Sequence, residues 1–196
     1  DQTVNFNQVV NLQNAYQIGT FSFSVTPYSS SGSCQGQTTD FDIIVNPVPQ
    51  VDGGITAPDE VCTGSTIIAT ANSTFVGLSG FSYQWTADLT GVTTTGSTSG
   101  IVGSDGIVSL PVDIINSNLQ GSVVFHFTPF VVGAESCAGA EVTKTVLVNP
   151  DPVGILLAPN ATYEICSGEA IATSGFHISL QSNALPQTVV HWQAQD

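Results

Sequence analysis

Apolar and polar residues alternate along short runs of this chain, and Gly, Asn, Ser and Pro separate one run from the next. In Val123-Val-Phe-His-Phe-Thr128, Val123, Phe125 and Phe127 fall on one face; Phe21, Phe23 and Val25 do the same in the stretch after Gly19. A period of two predicts strands, because successive side chains of an extended backbone point to opposite faces. Further strands are predicted over Ser65–Ala71, Phe81–Ala87, Ile107–Val112 and Val142–Val148, with weaker ones between. No apolar run approaches the roughly eighteen residues of a spanning helix.

The runs recur. Gly19-Thr-Phe-Ser-Phe-Ser-Val-Thr-Pro-Tyr28 returns as Gly121-Ser-Val-Val-Phe-His-Phe-Thr-Pro-Phe130. Each copy leads to a loop with a cysteine (Cys34, Cys137), then a strand-like run, then Val-Asn-Pro-x-Pro at 45–49 and 148–152. Val61-Cys-Thr-Gly64 returns as Ile165-Cys-Ser-Gly168, each ahead of an aromatic strand with Trp85 or Trp192. The offsets agree: 137 − 34 = 103, 149 − 46 = 103 and 166 − 62 = 104. The chain therefore reads as the C-terminal half of one repeat (1–51), a complete repeat (52–150) and the N-terminal half of a third (151–196). The proline-rich joints read as short stiff linkers, since each Pro fixes φ. The chain opens on Asp1 with no Met or signal peptide and stops after a strand-like run, which reads as a piece of something longer.

Roughly seven short strands in about a hundred residues, with one Trp on a central strand, predict an all-β immunoglobulin-like sandwich repeated in tandem. Cys62 starts the first strand and Cys137 precedes the last, positions expected at one pole of such a sandwich, so a Cys62–Cys137 disulfide is predicted. Such a bridge is worth about 4 kcal/mol in the chain-entropy model. Cys34 and Cys166 would then pair outside the segment; the alternative is a Cys34–Cys62 clamp across the joint. No Cys-x-x-Cys spacing occurs and no His stands at ligand spacing from a Cys, so a metal centre is disfavoured.

Charge narrows the partners. One basic residue, Lys144, stands against fifteen carboxylates, for a net charge of −14. That excludes a phosphate grip on nucleic acid and a polybasic contact with anionic lipid. Val, Ile, Phe and Thr with 19 Gly and 10 Pro favour strands and turns.

Cys-Thr-Gly-Ser, Tyr-Gln-Trp, Gly-Ser-Val-Val-Phe-His-Phe-Thr-Pro, Cys-Ala-Gly and Val-Leu-Val-Asn-Pro-Asp-Pro together resemble the PKD-like, immunoglobulin-type repeats of giant Bacteroidota cell-surface adhesins of the gliding-motility type. The resemblance covers nearly the whole chain. The third repeat departs from it, with Trp192 26 positions after Cys166 against 23 from Cys62 to Trp85. The resemblance implies type IX export, display outside a Gram-negative outer membrane and attachment to surfaces or polysaccharide. The expected partners are neighbouring repeats of the same chain and surface polysaccharide or other filament chains, and the resemblance adds the secretion and motility machinery.

Catalytic candidates are few. His126 lies between Phe125 and Phe127, so it points outward where the earlier copy has Ser24; His191 takes an outward place aligned with Gln84, and His177 falls in a variable stretch. No Gly-x-Ser-x-Gly elbow appears and no Ser, His and Asp recur together, so no catalytic or cofactor-binding residue is expected. The acids are scattered rather than paired across a cleft. Asp52, Asp59 and Glu60 at one joint are the candidate calcium ligands, but the next joint offers Asp151 and Glu164 out of register, which favours solvated surface. Asn72-Ser-Thr74 and Asn160-Ala-Thr162 match the glycan acceptor pattern, of little meaning in a bacterial protein. Trp85 and Trp192 are expected in cores rather than on sugars. The expected function is a structural stalk and adhesive repeat. The alternatives are a carbohydrate-binding module using exposed aromatics such as Tyr28, Phe130 or Tyr163, and a passive spacer of a secreted enzyme.

Overall fold

Alternation translates directly into paired strands in the computed structural model, which describes residues 5, 7–132, 137–152, 154–156, 164, 166–168, 178–180, 189, 191 and 193. A first hairpin joins β1 (Gly19–Val25) to β2 (Thr39–Val45). The short strands β3 (Ile55–Thr56) and β4 (Glu60–Cys62) precede β5 (Thr66–Ala71). A 3-10 turn, Thr74–Gly77, is capped by Ser73, whose Oγ accepts from the Phe75 N–H. Then come β6 (Phe81–Thr90), β7 (Val92–Thr93), β8 (Ser99–Val102), β9 (Ile107–Pro111) and β10 (Asp113–Ile114). The longest strand, β11 (Gly121–Val131), is followed by β12 (Cys137–Ala138), β13 (Val142–Asn149), β14 (Gly154–Leu156) and β15 (Ile178–Leu180).

Two sheets face each other. One runs β4-β13-β11-β6-β8, with β12 continuing beside β11; the other runs β3-β5-β9. Every odd-numbered residue of β11 is buried and every even one only partly so, the signature of a strand with one face on a core. Phe81, Tyr83, Trp85 and Ala87 of β6 join Val123, Phe125 and Phe127 of β11 over Ile67, Ala69, Val108 and Leu110 of the opposite sheet. Each large side chain so buried contributes about 1.5–3 kcal/mol. The fold is thus an all-β immunoglobulin-like sandwich.

Close approach of the two layers explains one glycine. Gly106 has φ of 63°, its carbonyl accepts from the Ala71 N–H, and a Cβ there would fall on the Ala71 carbonyl and lie 3.0 Å from the Tyr83 ring. Only a residue without a side chain fits between β5 and β6 at that turn.

The hairpin β1/β2 repeats the pairing of β11/β13 rung for rung. Gly19 faces Val45 as Gly121 faces Val148, Phe23 faces Phe41 as Phe125 faces Lys144, and Val25 faces Thr39 as Phe127 faces Val142. Beyond the strands, Tyr28 bridges Gln35 where Phe130 pairs Ala138, and the Gly36 N–H donates to Pro27 O as the Gly139 N–H does to Pro129 O, both at 2.8 Å.

The register overturns the predicted Cys62–Cys137 bridge. Strand β4 runs parallel to β13, placing Cys62 opposite Asn149, beyond the Gly121 end of β11, whereas Cys137 pairs with Val131 at the other end. Ten residues of strand separate those poles by about 33 Å, and a disulfide needs Cα atoms within about 7 Å. The Cys34–Cys62 alternative is not formed either: Cys34 lies in the loop beyond the Val25–Thr39 end of its hairpin, Cys62 stands opposite Asn149, and neither is in a disulfide. Cys34, Cys62 and Cys166 are exposed.

Candidate functional site

The candidate calcium ligands do not converge. Asp52 accepts from the Thr74 N–H at 2.9 Å and from its hydroxyl at 2.5 Å, and these bonds hold its carboxyl below the usual range. Asp59 takes the Lys144 ammonium at 2.5 Å, which likewise holds it down. Glu60 accepts from the Asn149 amide at 3.0 Å. Each acid therefore serves a separate structural contact, and among the described residues no group of three or more His, Cys, Asp or Glu is placed to hold a metal. Lys144 lies opposite Phe125, on the inner-face parity of β13, so its stem packs inward while its head snorkels to Asp59.

A titratable cluster does form on the outer face of the larger sheet, at His126. Its Nδ1 lies 3.0 Å from Glu141 Oε1, and its Nε2 faces Asp88 Oδ2 at 3.2 Å, an ionic contact without hydrogen-bond geometry. The Glu141 hydrogen bond raises the imidazole above its usual value, against partial desolvation, with both acids adding to the rise. The strands explain the geometry. His126 stands opposite Thr86 and Thr143, so Asp88 and Glu141 are its diagonal neighbours, two residues along on either side. Sequence reading placed His126 outward but missed both partners, which only the register reveals. With both ring nitrogens engaged on an outer strand face, the group is arranged as an ionic tie across three strands.

The other sequence candidates fall as follows. Trp85 is 7% exposed and lies opposite Phe127 within the core. Tyr83 is fully buried, and burial pushes its phenol up. Tyr28 is exposed and Phe130 half-buried. His191 is exposed, while His177, Trp192, Tyr163 and the Asn160-Ala-Thr162 acceptor lie outside the described residues. A cleft of about 400 Å³ runs along the first hairpin, lined among others by Val10, Leu12, Ile18, Phe21 and Val45. Among the described residues that line it there is no acid, base or histidine; they offer apolar contact, the amides of Asn and Gln, and the Thr20 hydroxyl.

A sandwich whose charged groups serve strand-to-strand ties is the setting for the family comparison. Residues 59–152 match the PKD-like domain family. The match spans β4 to β13 and so takes in the central strands of both sheets. PKD-like domains are typically extracellular structural repeats. No curated protein matches the chain. No helix among the described residues is long and apolar enough to cross a membrane.

Proposed function

We propose that this chain is a non-catalytic segment of PKD-like repeats in an extracellular surface filament, where it serves as a structural stalk and in attachment. One observation carries the reading: the same hairpin is built twice in the same register, 102 to 103 residues apart, on either side of a proline joint. Serial reuse of one module with its own core is how a chain extends a distant tip. The motif resemblance supports a finer version, a gliding-motility adhesin exported by the type IX route to the outer face of a Gram-negative cell. The acidic surface, with one cation in 196 residues, suits a filament that stays soluble and repels its like.

Antibodies against residues 52–150, applied to intact cells of the source organism, test this reading. Surface labelling along filaments, with weaker attachment when the coding region is deleted, is the expected result. A purely intracellular signal would overturn it. The polysaccharide-binding alternative has the exposed Tyr28 in its favour. It predicts that Tyr28→Ala abolishes retention on a polysaccharide matrix, whereas the stalk reading predicts no change.

A further inference from the structure

We infer that Pro129 and Gly139 form a socket that seizes the second proline of the Val-Asn-Pro-x-Pro joint and locks neighbouring repeats at a fixed angle. Prolines alone make a linker stiff but leave it exposed. Here Pro47 and Pro49 are buried, with Val51 beside them at 8% exposure. A Cβ on Gly139 would land on the Pro49 carbonyl oxygen and lie 3.0 Å from the Pro129 ring, so the joint crosses the socket in direct contact with bare backbone. The Gly139 N–H donates to Pro129 O at 2.8 Å and fixes the two walls relative to each other.

Further ties hold the chain as it leaves the socket. The Ser73 hydroxyl donates to the Gln50 carbonyl at 2.6 Å, and Asp52 takes both donors of Thr74. On the other side of the joint, the Tyr16 ring meets Phe75 at 5.0 Å between centroids. A groove of about 360 Å³ beside that ring pair, lined by Ile18 and Leu78 among others, shows that this flank is loosely packed. The lock therefore resides at Pro49.

The parts recur with the repeat. Pro27 and Gly36 make the same N–H to carbonyl bond on the first hairpin, and Pro27 is exposed where Pro129 is buried. Likewise Pro152, the counterpart of Pro49, is exposed. The kind of partner the Pro27–Gly36 socket fits is thus another Asn-Pro-x-Pro joint of this repeat type. The inference deepens the stalk reading and rests on it only for its consequence, a rod rather than a string of beads.

The test is backbone 15N relaxation on the full chain, comparing the rotational correlation time of β1/β2 amides with that of β6, β11 and β13. The lock predicts one common value. It predicts that Gly139→Ala makes the hairpin tumble faster than the complete sandwich by about 1.5-fold or more, as for domains joined by a small interface. Should Gly139→Ala disturb the amide shifts of β6, Pro49→Gly provides the same release from the other wall. Separate correlation times in the parent chain would overturn the lock and leave a flexible stalk standing. A common value unchanged in both variants would overturn it too, since stiffness would then come from elsewhere. Neither outcome bears on where the protein is displayed, which the antibody experiment decides.

Discussion

The hairpins β1/β2 and β11/β13 share a register and differ in what covers them. In β11, Val123, Phe125 and Phe127 are fully buried beneath the smaller sheet, and β6 pairs along nearly its whole length. In β1, the equivalents Phe21 and Val25 are 39% and 37% exposed, and across the hairpin Phe41 and Ile43 are 41% and 43% exposed. Phe23 still stacks on Phe41 at 5.0 Å and tilts against Phe21 at 4.7 Å, so the apolar face persists as a ring cluster. Local sequence thus specifies pairing and facing, while burial depends on the complementary strands.

Matched substitutions sharpen the contrast. Phe125→Ala should cost about 3–5 kcal/mol, because it empties a fully packed site, whereas Phe23→Ala at the equivalent rung should cost about 1 kcal/mol or less. Denaturant unfolding followed by Trp85 fluorescence for the first, and by hairpin amide signals for the second, measures both; equal costs would erase the distinction. Next in size is Gly106→Ala, a turn with no counterpart on the hairpin, which should lose about 2 kcal/mol or more from positive φ and contact with the Ala71 carbonyl. Thermal melts would show it. Removing the cap with Ser73→Ala should cost about 1 kcal/mol and free the Gln50 carbonyl, seen as faster exchange around the 3-10 turn.

The smallest effect concerns the residue that distinguishes the strands chemically, His126 against Ser24. Because the folded imidazole titrates above its unfolded value, its ties to Glu141 and Asp88 contribute fully below the unfolded pKa near 6.5 and are lost as pH rises through the folded one. Exposure of both acids limits the effect to about 0.5 kcal/mol. His126→Ser should flatten that part of the stability curve between pH 6 and 8, and an unchanged curve would show the tie to be idle.

Much of this molecule was legible in its sequence. Alternation located β6, β11 and β13, with β6 running on to Thr90 past the expected Ala87, and it placed Trp85 inward and His126 outward. Strand direction was not legible, since periodicity is the same read either way. The parallel course of β4 beside β13 therefore placed Cys62 and Cys137 at opposite poles, against expectation. Diagonal neighbours were hidden for a related reason, because Asp88 and Glu141 reach His126 only once the register is known. A fixed φ predicts that the joint prolines are stiff; that they are buried follows from Gly139, whose missing side chain has no alternating pattern to announce it.

Native-state hydrogen exchange at matched rungs tests the central claim most directly, that one hairpin is built twice and covered once. The account predicts that the amides of Phe125 and Phe127 are protected more strongly than those of Phe23 and Val25, by on the order of 100-fold or more. Equal protection at the two sets would contradict it.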